Sequence, residues 1–394
     1  MFKKNIISCL SSETSASQSI KATLHTEQLV EALSAVSAAQ ADGDVGWIQL
    51  HFTGAGKVIV SSVSHNLSIR FEFLGDHEGQ GVLKVTGKQF IEYVKQLPAG
   101  KLTLQADLTS KLTIKSGRSV ARVHLIQDST YSGVNIPNIG STVQIKGEAL
   151  ARWVDSFREF VLVDDTRYYA NGAYIWLDGD TQSAPCLNAV ASDALRLAKS
   201  RLTEELRVIN SDGSAVLVPR KTLDEVRRVA TADPGRIYTL KWHSGELFFA
   251  METDNYAMES KCIPGAYPPY EAAIPQKISS KVMLDTKNLQ ESLRRALIFA
   301  DKNRILKFLF EGSQLDIQSF TPGQKEGEEV IDLLIAADSS FEVNYNGTLL
   351  SGILNCLSGT KATFEWESVV RPVRITGESE RGVEVFYLLV PTRF

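Results

Sequence analysis

Four cysteines in 394 residues, Cys9, Cys186, Cys262 and Cys356, stand far apart with no C-x-x-C pair among them. That disfavours a disulfide framework and a zinc site built from local pairs, and it fits a reducing compartment. Long apolar runs are missing as well. Mean hydropathy is -0.08, and no uninterrupted stretch approaches the ~20 residues that a membrane helix needs. Nor does positive charge predominate: with Lys+Arg 42 against Asp+Glu 46, the net charge is -4. The chain as a whole is no basic coat for nucleic acid, although a basic face can coexist with an acidic one. No G-x-G-x-x-G or G-x-x-x-x-G-K-[ST] segment joins a strand to a helix, which argues against a nucleotide site. The six histidines are scattered without metal-ligand spacing on one helix, so neither metal nor cofactor is expected.

What the chain has in quantity is repetition. A helix-like pattern follows a strand-like run six times, near Thr26, Gly87, Gly147, Arg220, Thr286 and Gly347. The intervals are about 60 to 75 residues, room for one supersecondary unit per copy. Each copy opens on a small or polar residue and then spaces aliphatic side chains three or four apart, as one buried stripe requires. Between helices the sequence alternates in period two, the mark of half-buried antiparallel strands, as in Trp47 to Phe52, Lys57 to Ser62, Leu67 to Phe73 and Lys101 to Ala106.

Several strands between helices disfavour a parallel α/β fold and predict an α+β one. Two copies make a domain of two helices packed on antiparallel sheets, and six copies make three similar domains. The Pro and Gly clusters at Asn135 to Gly140 and Pro264 to Pro275 mark the boundaries. The division is therefore 20–140, 141–275 and 276–394, after an N-terminal extension, 1–19, expected to be disordered.

Catalytic constellations are hard to assemble. Asp164 and Asp165 invite a general acid and base, but adjacent strand residues point to opposite faces and adjacent turn residues are solvated. Two stretches suggest binding instead. In Arg167 to Gly172 a cation and two tyrosines precede Asn-Gly; the segment reads either as a hairpin with a surface aromatic pair or as a contact for phosphates and stacked bases. The second stretch, Tyr387 to Phe394, is apolar to its end, which suggests a packed last strand or the rim of a groove.

These motifs carry a resemblance. Arg167-Tyr168-Tyr169-Ala170-Asn171-Gly172 is similar to R-Y-Y-L-N-G of the bacterial sliding clamp, the β subunit of DNA polymerase III. Ala189 to Ala198 resembles its A-V-A-T-D-G-H-R-L-A, Val218-Pro219-Arg220-Lys221 its V-P-R-K, Tyr267-Pro268-Pro269-Tyr270 its F-P-D-Y, and Val390 to Phe394 its M-P-M-R-L. The matches are colinear from about Ile20 onward.

The resemblance implies three domains of the DNA-clamp fold and a closed ring formed by a head-to-tail homodimer. It implies a cytoplasmic, non-catalytic bacterial protein that slides on double-stranded DNA without reading sequence. Its expected partners are the replicative polymerase, the clamp loader and other proteins with clamp-binding motifs, and no membrane. Lys88, Lys95, Arg152, Lys221, Arg167, Tyr168 and Tyr169 would face DNA. A partner-peptide pocket would use Ala170, Ser192, Ala194, Leu195, Arg196, Leu197, Pro268 and Ala273. On its other side stand Asn346, Leu349, Val370, Pro372, Leu388, Leu389, Val390, Pro391, Thr392, Arg393 and Phe394. Ala121 and Val123 on a first-domain edge strand would meet Leu297 and Ile298 of the other subunit.

The chain departs from the family where Ala39 to Val45 is acidic, where Gly-His becomes Ala194-Leu195, and at Leu349 and Thr392. These departures motivate a second reading, a clamp-like peptide-binding scaffold without replication duty. A third is a β-rich hydrolase using Asp164 or Asp165.

Overall fold

The computed structural model describes residues 19–40, 46–107, 111–127, 134–178, 185–321, 325–378 and 381–392. Apart from Ser19, the expected N-terminal extension lies outside the described residues, as do Asp42, Asp44, Arg393 and Phe394. The fold is α+β. The chain divides into two compact units, Met1–Asn135 with Asp254–Met258, and Ile136–Thr253 with Glu259–Phe394.

The first unit contains α1 (Thr26–Val36) and α2 (Gly87–Lys95), packed on each other. Its strands are β1 (Ile20–His25), β2 (Trp47–Phe52), β3 (Lys57–Val63), β4 (Leu67–Leu74), β5 (Asp76–Glu78), β6 (Gly81–Thr86), β7 (Lys101–Asp107), β8 (Lys111–Ser116) and β9 (Ser119–His124). One sheet runs β5-β1-β7-β8-β9 and another contains the run β4-β3-β2-β6. Alternation decides the faces: Leu102, Leu104 and Ala106 of β7 are buried, and the residues between them are not.

The second unit contains β10 (Ser141–Lys146), α3 (Gly147–Asp155), β11 (Gly172–Asp178), β12 (Cys186–Ser192), β13 (Arg196–Leu202), β14 (Leu206–Asn210), β15 (Ala215–Pro219) and α4 (Arg220–Ala232). There follow β16 (Ile237–His243), β17 (Phe248–Glu252), β18 (Tyr256–Lys261), whose first residues count with the first unit, and β19 (Ser280–Asp285). The remainder is α5 (Thr286–Phe299), β20 (Ile305–Glu311), β21 (Gln314–Thr321), β22 (Lys325–Asp332), β23 (Phe341–Asn346), α6 (Gly347–Asn355), β24 (Lys361–Trp366), β25 (Val373–Thr376) and β26 (Val383–Leu389). Helices pack as the pairs α3–α4 and α5–α6. An eight-stranded sheet runs β15-β11-β12-β13-β26-β25-β24-β19, beside a four-stranded sheet β22-β21-β20-β23 and a run β14-β10-β16-β17. The expected boundary near 275 therefore lies inside a unit whose largest sheet takes the last strand, β26, between β13 and β25.

Among the described residues all six α-helices start where the pattern predicts, and the structure supplies the reason for the small or polar openers. An initial helix N–H has no intrahelical partner. Here it reaches a carbonyl in a neighbouring turn: Thr26 to Gly100, Gly87 to Gly46, Gly147 to Arg236, Thr286 to Thr360 and Gly347 to Arg304, at 2.7 to 2.8 Å. The approach is close. A Cβ on Gly147 would stand 2.5 Å from the Asp233 carbonyl oxygen, so a side chain there would push α3 off the end of α4.

Large side chains fill the cores, and two of the buried tryptophans have their indole N–H groups matched. The Trp366 indole donates to Tyr345 Oη at 2.8 Å, and Trp242 donates to the Ser214 carbonyl at 3.0 Å. Leaving such a buried group unmatched would cost ~1–3 kcal/mol each.

Candidate functional site

The register of the eight-stranded sheet assembles the most distinctive surface of the second unit. Side chains directly opposite one another across strands lie on one face. One row reads Ser192, Leu197, Leu388, Arg374 across β12, β13, β26 and β25. The next reads Tyr174, Val190, Lys199, Phe386 across β11, β12, β13 and β26, and the third Trp176, Asn188, Arg201, Glu384. Val190, Leu197 and Leu388 form a buried apolar cluster, and Trp176, Tyr267, Tyr270, Ala273, Ile274 and Phe386 pack against it half-buried. The result is an apolar, groove-like strip of the sheet face with the 267–274 segment packed along it.

Local chemistry shapes the rim. The Asp193 carboxylate accepts from the Leu195 and Arg196 N–H groups at 2.9 and 2.6 Å and from Arg196 Nε at 2.9 Å. Those bonds hold Ala194 at φ 72°, where an L side chain is strained, and turn Leu195 outward, 52% exposed. The Val390 N–H then donates to the Leu195 carbonyl at 2.9 Å, and Thr392 N–H to the Asn344 carbonyl at 2.8 Å, so the chain as far as Thr392 is tied down along the rim. Arg371 donates to the Ala272 carbonyl at 2.6 Å, which links the loop of Val370 and Pro372 to the turn of Ala273.

The expected pocket residues are thus partly gathered. Ser192, Leu197, Leu388 and Ala273 stand in or beside the groove, with Leu195, Val390, Pro391 and Thr392 on its rim. Pro268 is half-buried in the wall segment, and Val370 is 62% exposed. Ala170 is fully buried, as is Leu389, so both act as packing beneath the surface. Asn346 caps α6, accepting from the Thr348 and Leu349 N–H groups at 3.0 Å. The structure also adds Tyr174, Trp176, Val190 and Phe386. Their sequence signal is the alternation of aromatics in Tyr174-Ile175-Trp176, which lies outside the family motifs.

Behind the same sheet, Tyr387 Oη donates toward the Ser156 and Cys356 carbonyls at 3.0 and 3.1 Å, and its ring stacks on Phe160 at 5.2 Å. A cleft of ≈ 890 Å³ opens there, lined by residues including Arg152, Arg158, Arg196 and Cys356. Burial pushes the Cys356 thiol up to about 11.

Helix cations fall into two groups. Lys88 and Lys95 are exposed on α2. Arg152 is committed to Glu148 at 3.0 Å and Glu205 at 3.4 Å, while Arg158 and Arg220 share Glu159 and Asp224. Arg227 pairs with Asp155, and Lys221 is half-buried.

The segment Arg167 to Gly172 is no hairpin turn. Tyr168–Asn171 form a short 3-10 helix that leads into β11. Arg167 grips Asp165 through Nε and Nη2 at 2.8 and 2.9 Å, and its side-chain and backbone hydrogen bonds hold the Asp165 carboxyl down at about 2. An acid fixed as a carboxylate at neutral pH is a poor proton donor, and Asp164 sits in a strained turn at φ 55°. Neither Asp164 nor Asp165 is arranged for hydrolysis.

Among the strands that end their sheets are β9 and β22. β9 leaves Val120, Arg122 and His124 exposed, and β22 leaves Glu328, Val330 and Asp332 exposed. Ile298 is 73% exposed, with Leu297 half-buried next to it.

Groove, helix pairs and antiparallel sheets together define the class, a clamp-type binding scaffold. Residues 144–269 match the model of the DNA polymerase III beta subunit central domain, and 271–393 that of its C-terminal domain. The chain belongs to the bacterial DNA polymerase III beta subunit family, the beta sliding clamps. It is 27% identical over 322 residues to the beta sliding clamp of Caulobacter vibrioides, covering 79% of this chain and 82% of the relative. To that of Rickettsia felis it is 26% identical over 333 residues, covering 81% and 85%. The solved beta sliding clamp of C. crescentus superposes with a TM-score of 0.86 at 24% identity, covering 96% of this chain and 100% of that one. The DNA polymerase III subunit beta of Pseudomonas aeruginosa gives 0.85 at 22% identity, covering 95% and 100%. These relatives leave the scaffold without replication duty unsupported. No helix among the described residues is long and apolar enough to cross a membrane.

Proposed function

We propose that this chain acts as a cytoplasmic DNA sliding clamp that encircles duplex DNA as a head-to-tail homodimer of three clamp domains per chain, 20–140, 141–275 and 276–394. The groove of Val190, Leu197 and Leu388 carries the reading. It takes short apolar peptides of the replicative polymerase, the clamp loader and other proteins with clamp-binding motifs. A buried Leu or Phe of such a peptide contributes ~1.5–3 kcal/mol.

Sliding needs phosphate attraction without base readout. Exposed Lys88 and Lys95 suit that role directly. Arg152, Lys221, Arg167, Tyr168 and Tyr169 belong to the same proposed set, but the carboxylates paired with Arg152 and Arg167 offset much of the field of those two. Ring closure joins β9 of one copy to β22 of the next, around Ala121 and Val123, with Leu297 and Ile298 as apolar support. An exposed Val120, Arg122, His124 edge meeting a Glu328, Val330, Asp332 edge pairs opposite charges and removes two unpaired strand edges.

The test is twofold. The mass in solution should be twice that of one chain, and the protein should stay on circular DNA and run off after linearisation. Equal loss from both DNA forms by a monomer would sink the proposal. Deleting Val390 to Phe394 should abolish binding of a Q-L-x-L-F peptide while the dimer persists.

A further inference from the structure

The groove sheet carries more binding surface than an apolar Leu and Phe anchor would use. Beyond the Leu197–Leu388 row lie two further rows in register, Tyr174-Val190-Lys199-Phe386 and Trp176-Asn188-Arg201-Glu384. Aromatic rings dominate this extension. Tyr174 stacks on Tyr267 at 5.2 Å and 13°, and lies 5.4 Å from Trp176; Tyr267 in turn meets Tyr270 edge-on at 6.1 Å. The Trp176 indole N–H is pinned to Asp178 at 3.0 Å, so its ring is held in place before any ligand arrives. Tyr267 Oη is buried without a hydrogen-bond partner among the described residues.

One cation stands among these rings. Lys199 Nζ lies 5.6 Å from the Tyr270 ring centroid, and no carboxylate pairs with it among the described residues. Its cationic neighbours are differently placed: Arg201 is bound to Glu384 at 2.9 Å and Arg374 to Glu365 at 2.7 Å.

We propose that the groove continues along the sheet into this aromatic floor, where it selects a peptide carrying an aromatic residue and a carboxylate next to the apolar anchor. The aromatic ring lies on Tyr174, Trp176 and Phe386, and the carboxylate pairs with Lys199. The proposal rests on the peptide-groove reading above and gives it a chemical specificity. A single unpaired cation suits one carboxylate. A nucleic-acid strand would bring several phosphates past Asp178, Glu271 and Glu384, which repel them.

The experiment uses the full chain and labelled synthetic peptides. Q-L-S-L-F is compared by fluorescence anisotropy with the same peptide extended by Trp and Asp at its N-terminus or at its C-terminus. One extended peptide should bind about tenfold tighter than the short one, the scale of a well-seated aromatic anchor. Lys199→Glu should remove most of that gain and leave the short peptide within about twofold, since an exposed ion pair is worth up to ~1 kcal/mol and its reversal more. Replacing the peptide Asp by Lys should restore tight binding to the Lys199→Glu variant. Lys199→Met, which keeps the apolar stem, should lose only the ion-pair part of the gain, up to about fivefold, and keep the aromatic part.

The proposal fails if neither extended peptide outbinds the short one, or if the Lys199 variants weaken all peptides alike. In both cases retained binding of the short peptide leaves the groove itself standing. Wild-type protein that binds no peptide at all overturns the groove and its extension together. Competition by oligothymidylate that depends on Lys199 overturns it in favour of nucleic acid.

Discussion

Replacing Tyr387 by Phe removes one oxygen from the back of the groove sheet and nothing from its front. The ring is fully buried and stacked on Phe160, and Phe keeps that contact. What goes is a hydroxyl with one proton shared between the Ser156 and Cys356 carbonyls, 3.0 and 3.1 Å away. A net hydrogen bond is worth ~1 kcal/mol, and two carbonyls left with less than their full complement raise the cost to ~1–2 kcal/mol. For a cooperative body of the second unit's size each kcal/mol moves the midpoint by ~2–4 °C, so the melting transition should fall by ~2–8 °C. Scanning calorimetry of the full chain reads this directly. Peptide affinity should stay within about twofold, because successive strand residues face opposite sides. Leu388→Ala is the control on the other face: its side chain is 2% exposed, and truncation should cost ~2–5 kcal/mol together with peptide binding. An unchanged midpoint for Tyr387→Phe would refute the energetic argument, and peptide affinity falling in step with stability would refute the separation of the faces.

Charge reversal of Lys88 and Lys95 to Glu should weaken retention on circular DNA at low salt, and Lys→Ala at each should flatten the salt slope by about one phosphate contact; a slope identical to wild type would remove these lysines from the DNA-facing set. Val123→Asp or Ile298→Asp should convert the dimer to monomer in sedimentation, with unchanged peptide binding, since each places a carboxylate at the proposed joint; a persistent dimer would relocate the joint. Burial pushes the Cys262 thiol up to about 12 and Cys356 up to about 11, so both should resist iodoacetamide at pH 8 in the folded chain and react fully in denaturant. The Asp165 carboxyl is depressed from 3.8 to about 2, so its contribution is complete above pH 4 and fades only as pH falls through 2; carboxyl titration by NMR should show that order.

Much of this was legible in the sequence because the signals were local. Gly147 and Thr286 open helices in the text of the chain as they do in space, and the alternation of Lys101 to Ala106 gives a strand whose buried face is the expected one. The 3-10 helix at Tyr168–Asn171 was less legible: Asn171-Gly172 reads as a hairpin turn, but the Asn171 side chain instead bonds the Asp165 backbone at both N–H and carbonyl, at 2.8 Å. Long-range ion pairs were invisible for a related reason. Arg152 has a sequence-local partner in Glu148, four residues earlier, but its second, Glu205, lies 53 positions later in the chain and only the fold brings it within 3.4 Å. The aromatic floor combines Tyr174 with Tyr267, and only the fold brings those two rings into a stack.

The insertion of β26 between β13 and β25 has a mechanical meaning. The strands on one side belong to the segment matched by the central-domain model and those on the other to the segment matched by the C-terminal-domain model. β13 and β26 run antiparallel in register from Arg196–Leu389 to Leu202–Val383, so prising these segments apart must shear a continuous ladder of backbone bonds at once. A seam of that kind is stiff. If the proposed function holds, load from a bound partner peptide enters at Leu197 and Leu388, on both strands of the seam, and is carried by the ladder between them. On the proposed function, the attachment point falls where the chain yields least.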